Sequence, residues 1–125
     1  MDQLTERVIG VAIGVHRVLG PGLLESIYET CLAYDLSEAG LRVETQKALP
    51  LRYRGVTFDA GYRLDLLIED ELVLELKAID QLAPVHHAQL LSYLKLSGYT
   101  VGLLVNFNVP VLRQGIRRVV HGRAV

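Results

Sequence analysis

The sequence has a single cysteine, Cys31, in 125 residues. No intrachain disulfide can form, which fits a reducing compartment. It lacks the cysteine–histidine set that would hold zinc: His86 and His87 are adjacent but have no matching partners. It lacks a dominant charge. A formal net charge of −1 excludes a strong global attraction to polyanions. It lacks a long apolar run, since Val8 to Val15 is far too short to span a bilayer. The opening MDQLTERVIG carries acids and no basic stretch, so no signal peptide is expected. Repeats, linkers and low-complexity tracts are absent. What is present is a chain that is 50% apolar and 22% charged, long enough to bury a core without staples. One soluble cytoplasmic domain over residues 1–125 is expected.

Periodicity predicts a helix over 4–20, where Leu4, Val8, Val11, Ala12, Val15 and Leu19 recur at helical spacing. Ile9 and Ile13 widen its apolar face, and Gly10 with Gly14 suggests close packing against a neighbour. GPG at 20–22 ends it. A second helix is expected over about 23–39, with Leu24, Ile27, Tyr28, Cys31 and Leu32 on its inner face. Residues 41–58 predict one or two strands, bent at Pro50. A third helix runs from Pro84 to Gly98, and the apolar run 99–107 is a buried strand. The order is ααβββαβ plus a basic C-terminal segment, an α+β arrangement with a central mixed β-sheet flanked by helices.

The stretch GYRLDLLIEDELVLELKA, 61–78, is the most informative. It is a leucine-rich hairpin with Asp65, Glu75 and Lys77 inside its apolar runs, and an unpaired buried charge is expensive. Side chains alternate along a strand. Matching the apolar sets requires the pairs Ile68/Leu72, Leu66/Leu74 and Leu64/Leu76, with Glu69, Asp70 and Glu71 as the loop. This register places Asp65 opposite Glu75, with Lys77 on the same face. Two opposed carboxylates need a cation between them. Lys77 could serve, as a structural ion pair. A divalent metal could serve instead, with water and phosphate filling its other positions.

Asp65 followed by Glu75-Leu76-Lys77 resembles the PD-(D/E)xK nuclease superfamily, with Leu64 where that pattern usually has proline. The order of elements is similar too. GLLESIY at 22–28 matches a GxxExxY signature through Gly22, Glu25 and Tyr28. Together with ELKA, HHAQLLSYLK and GLLVNFNVP, it resembles the GxxExxY proteins placed within that fold. The resemblance implies a restriction-endonuclease-like core and a metal-dependent phosphodiester hydrolase acting on DNA. Asp65, Glu75 and Glu25 would hold Mg²⁺ or Mn²⁺, and Lys77 would position the attacking water. Gln89 would meet phosphate or water, with Tyr28, His86 and Tyr93 behind them.

Each residue also has a plainer role. Glu25 suits the first turn of a helix for its dipole, Tyr28 suits core packing, and a basic cluster suits a solvated surface. The clusters are Lys47, Arg52 and Arg54 in the centre and Arg113, Arg117, Arg118 and Arg123 at the end. In the nuclease reading they meet the phosphate backbone. The alternative is a catalytically silent module of the same fold that binds a partner, or forms a homodimer through its apolar N-terminal helix.

Overall fold

A computed structural model describes residues 2–122, so Arg123 lies outside the described residues. Helix α1 spans Gln3–Leu19 and α2 spans Glu25–Glu38. Strands β1 (Val43–Tyr53), β2 (Val56–Ile68) and β3 (Leu72–Lys77) follow, then α3 (Pro84–Ser97) and β4 (Val101–Asn106). The basic C-terminal segment, where no element was expected, forms a 3₁₀ turn at Leu112–Gly115 and a fifth strand, β5 (Ile116–Val120). The five strands form one sheet in chain order, β1 to β5. Only β3 and β4 are parallel. Their crossover contains α3, as a parallel connection requires.

Helix α1 starts where Asp2 caps it: Oδ1 accepts from the Thr5 amide at 2.7 Å. Val8, Ile9, Ala12 and Val15 are buried in a cluster shared with Tyr28, Leu32 and Leu36 of α2. The same cluster takes Leu66, Ile68, Leu72, Leu74, Leu76, Leu103 and Val105 from one sheet face. The other face carries Leu67, Val73, Leu104 and Val119 against Leu90, Tyr93 and Leu94 of α3. The sheet therefore lies between two helices and one. β3 is covered on both sides, which explains its continuous apolar run. Each fully buried leucine contributes roughly 1.5–3 kcal/mol relative to exposure.

The hairpin register follows the leucine pattern: Ile68 pairs with Leu72, Leu67 with Val73 and Leu66 with Leu74. Three details differ from the sequence expectation. Leu64 packs with the α3-side cluster rather than with Leu66 and Ile68, so strict alternation breaks at Asp65. In α2, Leu24 and Ile27 are exposed, and the inner stripe shifts to Tyr28, Leu32 and Leu36. Gly10 and Gly14 face open space: a Cβ on either would meet nothing within 4 Å.

Candidate functional site

The site begins where the β2–β3 ladder stops. Beyond Leu66/Leu74 the next residues are Asp65 and Glu75, and their side chains replace the missing strand bonds. The Asp65 amide donates to Glu75 Oε1 at 3.3 Å, and the Leu76 amide donates to Asp65 Oδ2 at 2.8 Å. The two carboxylates thus hold the fork open from both sides. On the other side of β2, β1 bends at Gln46, which has φ 50. Gln46 lies across from Asp65, between the pairs Thr45/Leu66 and Lys47/Leu64. Its Nε2 donates to Glu29 Oε1 at 2.7 Å and to Asp65 Oδ1 at 3.4 Å. Glu75 is anchored in the central strand, beside Leu104 of β4.

The electrostatics of this fork are unfavourable as it stands. Glu75 is 7% exposed. Burial, then the neighbouring Asp65, pushes its carboxyl up to about 8 from 4.5. Burial and then Asp65 also raise Glu25, and burial with Asp65 raises Glu29 against the Gln46 bond that lowers it. Burial and then Glu75 raise the Tyr93 phenol. Lys77 relieves the pair only in part: its charge lowers Glu75 and Glu25, but by less than burial and Asp65 raise them. Among the described residues the salt bridges join Arg42 to Glu69 and Lys47 to Glu44, and neither involves Lys77. The structural ion pair left open by the sequence is therefore not formed.

Glu25 reaches this field because a loop places it there. Gly20 and Gly22 take φ 69 and 99, a region that strains other residues. Tyr28, buried completely, donates to the Gly20 carbonyl at 2.6 Å and accepts from the Leu23 amide at 3.1 Å. Its ring stacks on Phe107 with centroids 4.5 Å apart. The glycine, glutamate and tyrosine of GLLESIY thus form one unit: a turn, the first residue of α2, and a phenol that ties turn to core.

The remaining sequence candidates divide. Tyr93 is buried on α3, in the cluster beneath Glu75's face of the sheet, and Gln89 is exposed one turn earlier. His86 Nδ1 accepts from the Ala83 amide at 2.9 Å, so it caps α3. Lys47 and Arg52 lie on β1, with Arg54 at the turn that follows. Arg117 and Arg118 lie on β5, the opposite sheet edge, with Arg113 in the turn before it. The two basic groups do not form one surface. Arg118 lines a surface cleft of about 420 Å³ with Asp2, Thr5, Asp70 and Tyr99, at the hairpin-loop end of the sheet and away from the fork. Gln46 and Glu29 were not foreseen; in the sequence neither stands in a motif, and Gln46 comes to Asp65 at the bend in β1 while Glu29 comes from α2, one turn after Glu25.

The residues fit a divalent cation in one respect and limit it in another. A buried carboxylate beside a second one, with no cation in contact, is the chemistry a metal relieves. Among the described residues, however, no group of three or more histidine, cysteine, aspartate or glutamate side chains has metal-holding geometry. Around Asp65 and Glu75 the described residues thus present no ready-made third protein ligand. That suits an ion which keeps water and phosphate in its shell, as Mg²⁺ does.

A mixed sheet between helices, forking at an Asp/Glu pair with a lysine two residues on, defines a restriction-endonuclease-like α+β fold. The chain belongs to the PD-(D/E)XK nuclease superfamily, whose profile matches residues 2–119. PD-(D/E)XK nucleases generally use divalent metals. No curated protein and no solved structure matches the chain significantly.

Proposed function

We propose that this protein is a metal-dependent phosphodiester hydrolase of the GxxExxY type, acting on DNA with Mg²⁺ or Mn²⁺. The single observation that carries this is the fork at Asp65 and Glu75, where two carboxylates are tied to each other's backbone and, among the described residues, neither is in a salt bridge. Asp65 and Glu75 hold the ion, and Glu25 adds negative charge at the rim. Bound there, the ion polarises a phosphoryl oxygen and lowers the pKa of its water. Lys77, on the same strand face as Glu75 and outside the salt bridges of the described residues, orients the attacking water and stabilises the charge that develops on phosphate. Gln89, exposed on α3, hydrogen-bonds phosphate or water. Tyr28 sets the loop that carries Glu25, and Tyr93 closes the floor beside Glu75. Phosphate contacts come from the basic residues of one sheet edge at a time, Lys47, Arg52 and Arg54 or Arg113, Arg117 and Arg118.

Cleavage of plasmid and of single-stranded oligonucleotides with Mg²⁺ and Mn²⁺ tests this. Wild type should cut, EDTA should stop it, and Asp65→Asn and Lys77→Ala should lose at least about a hundredfold in rate. Equal cutting by all three proteins, or none by wild type, would refute it.

A further inference from the structure

The long hairpin of β1 and β2 extends past the core. Every residue from Arg52 to Asp59 is exposed. Such a segment is expected to be polar, yet Tyr53, Val56, Phe58 and Tyr62 stand 57, 52, 48 and 44% exposed. They are organised. Tyr53 pairs with Val56, Leu51 with Phe58 and Leu49 with Tyr62, so each pair presents its side chains on one face. Along β1, Leu49, Leu51 and Tyr53 alternate onto a common face, and Leu49 belongs to the α3-side cluster. β2 carries extra residues around Gly61, φ 75, opposite Pro50, which has no amide to donate. The arm is thereby bent where it leaves the core.

This apolar strip runs to the fork. Tyr62 packs on Tyr93 with ring centroids 5.6 Å apart, and Tyr93 feels the Glu75 charge. Tyr62 is three residues from Asp65, roughly 10 Å of strand. The arm is also cationic. Arg54 lies over the Tyr53 ring at 5.3 Å, while Arg52 and Arg63, paired with Thr57 and Ala48, stand on the reverse face of the hairpin. Asp59 is the acid on that stretch. Exposed aromatic rings, one of them under an arginine, continuous with the proposed phosphodiesterase site, match the chemistry of unpaired bases and their phosphates. A duplex keeps its base faces stacked inside and would offer those rings only sugar and phosphate.

We infer that the β1–β2 arm receives a single-stranded stretch of nucleic acid. Bases stack on Tyr53, Phe58 and Tyr62, Arg54 at the tip meets phosphate, Arg52 and Arg63 add positive charge from the reverse face, and the strand leads to the carboxylate fork. This rests on the nuclease function for the purpose of the arm, but not for its binding.

The test is fluorescence anisotropy in EDTA, where no cleavage occurs. Labelled twelve-nucleotide oligothymidine and a twelve-base-pair duplex are titrated with wild type and with Tyr53→Ala/Phe58→Ala, whose altered side chains are exposed. Wild type should prefer the single strand by tenfold or more. The double variant should lose about tenfold or more for the single strand, while Tyr53→Phe should bind like wild type, because stacking needs the ring and not the hydroxyl. Equal affinity for both nucleic acids, no binding to either, or an unaffected double variant would overturn the inference. So would a wild-type dimer by light scattering that the double variant dissolves without a change in oligonucleotide affinity, since the strip would then serve a second copy of the chain. Tight, ring-dependent binding by a protein that never cuts would remove the hydrolase and leave the arm. Cutting with arm-independent binding would do the reverse.

Discussion

Glu75 is the residue on which the account turns. It sits on the central strand, buried, with Asp65 beside it. In the folded state burial and Asp65 raise its pKa to about 8, against 4.5 for the free side chain. Between these values the native protein binds a proton that the unfolded chain has released. Folding is therefore favoured most below pH 4.5 as far as this group is concerned, and the contribution is lost as pH rises toward 8. Thermal melts in EDTA should show stability falling across that window through Glu75. Glu75→Gln should flatten that part of the profile, and Mn²⁺ at pH 8 should raise the wild-type melting temperature while leaving the variant unmoved. An identical profile in Glu75→Gln would place the strain elsewhere. Tyr28 is the second decisive residue. Tyr28→Phe keeps the stack on Phe107 but leaves the Gly20 carbonyl and the Leu23 amide without their partner. It should cost roughly 1–2 kcal/mol in urea unfolding and reduce cleavage by loosening Glu25. Unchanged urea midpoints would show that the turn does not need the phenol.

At the level of elements, three pieces converge on the fork. β3 supplies Glu75 and Lys77, β2 supplies Asp65 where it parts from β3, and the first residue of α2 supplies Glu25. The end of β3 is held firmly. The Phe107 amide donates to the Lys77 carbonyl at 2.9 Å, and buried Asn106 clamps the Ile79 amide and carbonyl at 3.1 and 2.9 Å. Helix α3 lies over the other face, and its start is fixed by His86. The bond from the Ala83 amide to His86 Nδ1 makes this histidine a cap. His86→Ala should therefore destabilise by about 1 kcal/mol, with cleavage per folded molecule within a fewfold of wild type. A loss of a hundredfold or more in rate at unchanged stability would instead make His86 a proton-transfer group.

At the scale of the whole molecule, the sequence carried the sheet's centre better than its edges. The order of the first seven elements follows from helical spacing, the GPG stop and the apolar strand runs. The pairs Ile68/Leu72 and Leu66/Leu74 followed from matching the leucines, because a slip by one residue would turn them to the wrong core face, but the third expected pair, Leu64/Leu76, is not formed. Asp65 and Glu75 were legible for the same reason. The edges were not. β5 is short and basic, with Arg117 and Arg118 exposed, and only its pairing with β4 makes it a strand. Alternation could not foresee that Leu64 changes sides, because β2 leaves β3 at that point. Nor could it foresee Gln46, whose left-handed conformation is set by the kink in β1. Leu24 and Ile27 read as inner-face residues by spacing, yet the tie between Tyr28 and the glycine turn sets the helix so that both face outward. Among the described residues no helix is long and apolar enough to cross a membrane.

In the proposed function Asp65 and Glu75 together bind a divalent cation, with Lys77 reserved for chemistry. Calorimetric titration of Mn²⁺ into four proteins at pH 7.5 tests it most directly. Wild type and Lys77→Ala should bind the ion with similar affinity, while Asp65→Asn and Glu75→Gln should lose the heat of binding. Undiminished binding by Glu75→Gln, or no binding by wild type, would contradict it.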